Sequence, residues 1–309
     1  MKQAQAPPDA QWSGPAHAGV KSPDPILIAN PARRFAATAQ RLQQLAAGHP
    51  MGAWLRFMAG LAQAQHVVAT TLAPAATLDH GVVAQATEAR LPPLSADGHR
   101  RVAIWRDGLA MLLERIDRSG LPAAALEAMD QLQRRDAATL DELADDFLRG
   151  ELSTTDAGVA VYVVAALQVY FTCSAAQLQA SDLRLLEERA LCPCCGSPSV
   201  SSLITATGVI PGTRYLYCSL CSTAWNHVRA VCITCGGTRQ LLLQGIEGDP
   251  GVVKAETCGD CHTYLKLLYQ QHDMQTDPYA DDLATLGLDI LVAEEGFARH
   301  APNPLLLMG

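Results

Sequence analysis

A chain of 309 residues, 49% of them hydrophobic, holds material for roughly two domains and a sizeable core. Its formal net charge of −8 works against nonspecific binding to nucleic acid or to an anionic membrane surface, both of which need a basic footprint. Aromatic residues make up only 5% and alanine is abundant, a balance that favours packed helices over a β-sandwich.

Residues 1–24, rich in Pro, Ala, Gly and Ser, read as a disordered tail with no apolar run of the secretory kind. Arg33-Arg34-Phe35 looks like part of a twin-arginine export signal, but no apolar stretch and cleavage site follow it. Asn30-Pro31 instead supplies a helix cap followed by proline at the first helical position. Phe35, Leu42 and Leu45 share one face of that helix, which stops at Gly48-His49-Pro50. A second helix over 51–72 carries Leu55, Met58, Leu61 and Gln65 along one side, and Pro92-Pro93 marks a break. Further helical periods cover 101–117, 122–134, 139–149, 157–173 and 181–190, so residues 25–190 are expected to form an all-helical domain. The most apolar stretch, Val159 to Cys173, is shorter than the ~20 residues needed to cross a bilayer and reads as a buried core helix. A cytoplasmic chain is expected, with its thiols reduced.

At residue 191 the pattern changes to glycine, cysteine and short alternating runs. Arg214 to Tyr217 and Tyr264 to Leu268 read as short strands. Helical character returns over 281–297. There Leu283, Leu286, Ile290 and Phe297 form a stripe suited to packing back on the rest, and Asp281-Asp282 would cap the positive end.

The cysteines organise the middle of the chain. Cys192/Cys195, Cys218/Cys221, Cys232/Cys235 and Cys258/Cys261 are four C-x-x-C turns, and a shift of 40 residues lays the first four cysteines on the second four. The same shift takes Gly196 to Gly236, Gly208 to Gly248 and Thr223 to Thr263. A C-x-x-C turn aims two sulfurs to one side, and two facing turns supply a tetrahedral four-thiolate set suited to zinc or a single iron. A ribbon this small buries little apolar surface and depends on its metal to fold. The repeat favours two self-contained sites, Cys192, Cys195, Cys218 and Cys221 against Cys232, Cys235, Cys258 and Cys261; a cross-braced pairing also fits the spacing. Cys194 reads as a spare thiol and Cys173 lies outside the repeat. Cys258-x-x-Cys261-His262 also matches a haem-attachment pattern, although its turn already has a place in the repeat. His227 and His262 follow the turns, where they could be alternative ligands but are expected at the surface; Trp225 is expected in the core of the ribbon, and Glu294-Glu295 on a solvated helix face.

The expected fold class is therefore multi-domain α+β. An all-α domain (25–190) precedes two tandem rubredoxin-like, zinc-ribbon-like metal modules (191–230 and 231–271) and a C-terminal segment (272–309) whose helix packs back.

Several motifs resemble the FdhE family, the formate dehydrogenase accessory proteins. They are Cys192-Pro193-x-Cys195-Gly196-Ser197, and Arg214-Tyr215-Leu216-x-Cys218-Ser219-Leu220-Cys221 with Trp225 and Arg229. Gly48-His49-Pro50 and Leu61-Ala62-x-Ala64-Gln65 match near the front. Ala280-Asp281-Asp282-Leu283-Ala284-Thr285-Leu286, Ala293-Glu294-Glu295-Gly296 and Pro302-Asn303-Pro304 match near the end. The chain departs from the family pattern at Cys194, usually not cysteine, and at Ala224, where a glutamate commonly precedes the tryptophan. The resemblance implies a cytoplasmic protein needed to make active formate dehydrogenase, acting on its catalytic subunit, with iron preferred over zinc.

Three functions are weighed, the first of them implied by the resemblance. A metal-stabilised assembly factor that is not an enzyme is favoured, because a site filled by four cysteines offers substrate no open position. A thiol oxidoreductase or sulfur carrier would use one C-x-x-C pair as nucleophile and leave three without a role. A zinc-ribbon nucleic-acid module would rely on a local basic face at Arg214, Arg229 and Arg239, against the acidic balance of the whole.

Overall fold

The structure is a computed structural model and describes residues 22–72, 78–99, 101–151, 153 and 156–306. Most of the expected tail, residues 1–21, lies outside the described residues. The chain is already tied down at Asp24, whose carbonyl accepts from the Tyr215 hydroxyl at 2.9 Å.

A two-residue strand β1 (Ile26–Leu27) leads into α1 (Pro31–Leu45). The Asn30 side chain caps this helix by accepting from the Ala32 amide at 3.0 Å, with Pro31 at its first position. Gly48, with φ +71°, turns the chain into α2 (Gly52–Leu72), which packs along α1. Leu55, Met58, Leu61 and Gln65 are all buried, as the spacing required. The helices α3 (His80–Glu88), α4 (Ile104–Arg115), α5 (Ala123–Arg134) and α6 (Ala137–Arg149) follow. The central element is α7 (Ala157–Ala175), against which α1, α2, α4, α5 and α6 pack. By length and composition the 18-residue window Gly158–Ala175 of α7 would pass for a membrane span, but 89% of it is buried inside the protein. It is the central helix of the bundle.

One expectation fails here. Residues 181–190 do not form a helix: beyond a single 3₁₀ turn, Ala180–Asp182, the chain runs irregularly towards the sheet. Long-range bonds hold it there, since the Asp182 carbonyl accepts from Thr87 and the Arg189 carbonyl accepts from the Trp225 indole at 2.9 Å. Conversely, α3 has no strong apolar period and buries only Val83; its signal is the cap at Asp79, which accepts from the Gly81 amide at 2.8 Å.

The sheet grows from the repeat. β2 (Ser199–Ile204), β3 (Arg214–Cys218) and β4 (Ala224–Asn226) form one antiparallel ribbon, and β5 (Leu241–Gln244), β6 (Val253–Cys258) and β7 (Thr263–Tyr269) form the other. Strands 40 residues apart correspond, so the duplication seen in the cysteines is also a duplication of ribbons. The ribbons are not separate beads: β2 and β7 pair in parallel, Ser202 with Leu267 and Ile204 with Tyr269. With β1 against β4, this gives the order β1-β4-β3-β2-β7-β6-β5, and β8 (Ala298–Arg299) adds to β7.

The C-terminal helix is two helices, α8 (Ala280–Ala284) and α9 (Leu286–Glu294), broken at Thr285. The Thr285 hydroxyl bonds back to the Asp281 carbonyl at 2.8 Å. The break rotates the expected stripe: Leu283 is buried, whereas Ile290 is 54% exposed and Leu288 and Val292 face inward instead. Asp281 and Asp282 do not cap the helix end. Asp277 does, accepting from the Tyr279 and Ala280 amides at 3.0 and 2.8 Å, while Asp281 and Asp282 are buried in ion pairs.

One large core unites the helices with the first ribbon: Phe35, Leu55, Val163 and Leu167 belong to the same apolar cluster as Leu216, Trp225 and the first four cysteines. A smaller core under α9 joins Leu288 and Val292 to Leu203, Val253, Tyr264 and Leu268.

Candidate metal centres

Each group of four cysteines is assembled from two reverse turns at the ends of the strands. In the first ribbon the Cys192 amide donates to the Ser197 carbonyl at 3.0 Å and the Gly196 amide to the Cys192 carbonyl at 2.8 Å. The second ribbon repeats both bonds from Cys232 to Gly237 and from Gly236 to Cys232, at 2.9 and 3.0 Å. Gly196 and Gly236 have φ of +76° and +72°, a conformation glycine adopts without a Cβ penalty. The opposite turns, which carry Cys218/Cys221 and Cys258/Cys261, place Ser222 and His262 at φ +61° and +54°.

These turns bring the sulfurs together in the two sets that the repeat favours, not in a cross-braced arrangement. Cys192, Cys195, Cys218 and Cys221 have all four Sγ atoms within 4.8 Å of one another, as do Cys232, Cys235, Cys258 and Cys261. Across the first set Cys192 lies 3.5 Å from Cys221 and Cys195 lies 3.4 Å from Cys218; across the second, both corresponding distances are 3.7 Å. Disulfides need about 2.05 Å, so these are not covalent pairs. A tetrahedron with metal–sulfur bonds of about 2.3 Å has edges of roughly 3.8 Å, close to the observed spacing.

The surrounding backbone suits anionic sulfur. Amides of Leu220 and Cys221 approach Cys218 Sγ at 3.3 and 3.4 Å, Cys194 N approaches Cys192 Sγ at 3.4 Å, and Gly237 N approaches Cys235 Sγ at 3.4 Å. In the dry first set burial pushes the Cys192 and Cys218 thiols up, because several thiolates cannot share an apolar pocket without a compensating cation. Both sets therefore have the ligand number and spacing to hold one metal ion each, zinc or iron.

The remaining sequence candidates fall elsewhere. Cys194 is buried beside the first set; its interaction with Cys221 and its burial push its thiol up from the ordinary cysteine range. Cys173 is buried in α7 and points at the Ala69 carbonyl, and burial pushes its thiol up to about 12, which leaves it inert. His227 is buried rather than superficial, with its ring nitrogen 2.9 Å from the Val228 carbonyl; His262 is exposed, and neither ring joins a cysteine set. Trp225 is buried, as expected. Arg214 is not part of a basic face: it is 1% exposed and pairs with Glu256 at 2.8 Å. Arg34 of the twin-arginine motif sits in α1, stacked 3.4 Å over the Tyr279 ring and bonded to the Ser222 hydroxyl.

Sequence reasoning missed the residues that fasten the first set to the helices. Gln168 of α7 donates to the Ser219 carbonyl at 2.8 Å and accepts from Gln65 of α2 at 3.1 Å. Tyr279 donates to the Cys218 carbonyl at 3.1 Å, and the Leu94 and Ala96 amides donate to the Cys194 and Cys195 carbonyls at 2.9 and 2.8 Å. An apolar helix containing a lone glutamine is the only local trace of this arrangement.

Comparison with known proteins agrees along nearly the whole length. Residues 23–188, 191–229 and 230–306 match, in turn, the N-terminal, central and C-terminal domain models of FdhE. An FdhE homolog from Stutzerimonas stutzeri is 37% identical over 290 residues, covering 93% of this chain and 94% of that protein. One from Edwardsiella ictaluri is 37% identical over 310 residues, covering 98% of each. The crystal structure of the FdhE protein from Pseudomonas aeruginosa superimposes with a TM-score of 0.81 at 34% identity, covering 92% of this chain and 99% of that one. The chain belongs to the FdhE family, the formate dehydrogenase accessory proteins.

Proposed function

We propose that the chain is an assembly factor that binds the catalytic subunit of formate dehydrogenase in the cytoplasm. Cys192, Cys195, Cys218 and Cys221 hold one metal ion, and Cys232, Cys235, Cys258 and Cys261 hold a second, each in a rubredoxin-like module. Iron is the preferred ion, on the family resemblance; zinc fits the same ligands. The observation that carries the reading is the pairing of family membership along nearly the whole chain with two closed four-sulfur sets.

A closed set has no vacant coordination position, so its metal neither activates water nor polarises a substrate. What it supplies is folding energy for a ribbon that lacks a core of its own, and with iron a one-electron change of charge. The protein then acts by presenting a surface to its client, and a change of charge at a metal set makes that surface redox-responsive.

The test is capture of the catalytic subunit from an extract by the tagged chain, together with formate oxidation in a deletion strain. Capture with loss of formate oxidation is the expected result; normal formate oxidation in the deletion strain would sink the reading. Metal analysis and visible spectra of protein from iron-replete cells should give two metals per chain and identify them.

A further inference from the structure

The two cysteine sets come from one duplicated module, yet the fold treats them differently. All four sulfur ligands of the first set are buried. In the second, Cys235 is exposed and Cys261 half-buried, with only Cys232 and Cys258 inside. This is a difference in position: the first set belongs to the main apolar core, and none of the second four cysteines does.

The clamps differ as well. At the first knuckle the Leu94 and Ala96 amides seize the carbonyls of Cys194 and Cys195, and Gln168 and Tyr279 hold the opposite turn through Ser219 and Cys218. Forty residues on, Thr234 and Cys235 stand where Cys194 and Cys195 stand in the first ribbon. Thr234 is held there through its side chain, which contacts His300 and Thr263 at 2.8 and 2.9 Å near the surface. To expose a first-set sulfur, the helical unit must separate from the sheet. To expose a second-set sulfur, a solvent-facing turn need only shift, a local opening of much lower cost.

From these differences we infer that the two sets have divided roles: the first is a permanent metal site, and the second is an exchange site whose entry point is Cys235. The second site takes thiophilic divalent metals, and chelators and thiol-reactive groups reach its sulfurs before any other in the chain. This division rests on the proposal that both sets bind metal.

The full chain, purified with its metals, is challenged with excess 4-(2-pyridylazo)resorcinol in the presence of iodoacetamide. Each released sulfur attacks the reagent, forming an S–C bond as the C–I bond breaks and iodide leaves, so the freed ligand cannot return. The metal remaining is counted by mass spectrometry, and the alkylated cysteines are located by peptide mapping. One metal should leave at least about tenfold faster than the other, with label on Cys235 first and then on Cys232, Cys258 and Cys261. Cys235→Ser should remain folded, keep the first metal and lose or loosen only the second. Simultaneous release of both metals, first label on Cys192, Cys195, Cys218 or Cys221, or unchanged release kinetics in Cys235→Ser would each overturn the division. A folded chain that contains no metal when purified would be a separate failure, overturning the metal reading beneath it.

Discussion

Lys266 is fully buried in the middle of β7, where its ammonium donates to the Asp282 carbonyl at 2.8 Å and pairs with the carboxylates of Asp282 and Asp289. Arg299 of β8 pairs with the same two aspartates, and Asn303 donates to Asp282 at 2.6 Å. Two cations therefore face two anions in the dry space between the sheet and α8–α9, each desolvated charge compensated by the others. Removing one cation leaves two buried carboxylates sharing the other, one negative charge uncompensated. Lys266→Met is expected to cost about 3–5 kcal/mol, read from urea unfolding, and adding Asp289→Leu should restore part of the loss. No residue in this network announces itself locally: Lys266 lies in an alternating Tyr-Leu-Lys-Leu-Leu run whose lysine would ordinarily face water. Asp281 and Asp282 were legible as a pair of acids but not as buried ones, because burial was decided by Arg41, Lys266 and Arg299, far away in sequence.

At the scale of elements, most helices follow their local signals, because caps, stop residues and apolar periods act within one or two turns. The turn between α1 and α2 shows how tightly such a signal can be set. A Cβ at Gly52 would stand 2.6 Å from the Ala46 carbonyl oxygen, closer than backbone can tolerate. Gly52→Ala should force the two helices apart and destabilise the protein by about 1–3 kcal/mol, measured by chemical unfolding. The same substitution at Gly60, where nothing lies within 4 Å, serves as the control and should be neutral or slightly stabilising. Elements that broke the local rule did so where a distant partner intervened. Residues 183–190 are held by the bond from Trp225 to the Arg189 carbonyl, and beside the break at Thr285 the Asp282 carbonyl accepts from Lys266.

For the molecule as a whole, one buried and two half-buried imidazoles couple stability to pH. Burial, together with the charge of Arg101, holds His99 below the usual histidine range; burial and Arg214 do the same to His227, and burial to His300. Each contributes stability that is complete above the unfolded value of about 6.5 and is lost as pH falls from there through the folded value, because the unfolded chain takes up protons more readily. The thermal midpoint should therefore fall between pH 7 and pH 5 with metal content unchanged, and His99→Gln should flatten that slope. A slope identical in His99→Gln would show that this ring, 3.0 Å from the Tyr170 hydroxyl, takes no part.

The amino-acid sequence alone determined the repeat of eight cysteines and their grouping preference, the helical first half, and the family. Those properties are carried by spacing and by periods of a few residues, which survive without knowledge of any partner. Tertiary structure alone decided that the two ribbons share one sheet through β2 and β7, and that one cysteine set lies in the main core while its duplicate is open to solvent at Cys235. Two copies of one motif cannot differ by their spacing; they differ by what packs against them, and burial is set by residues distant in the chain.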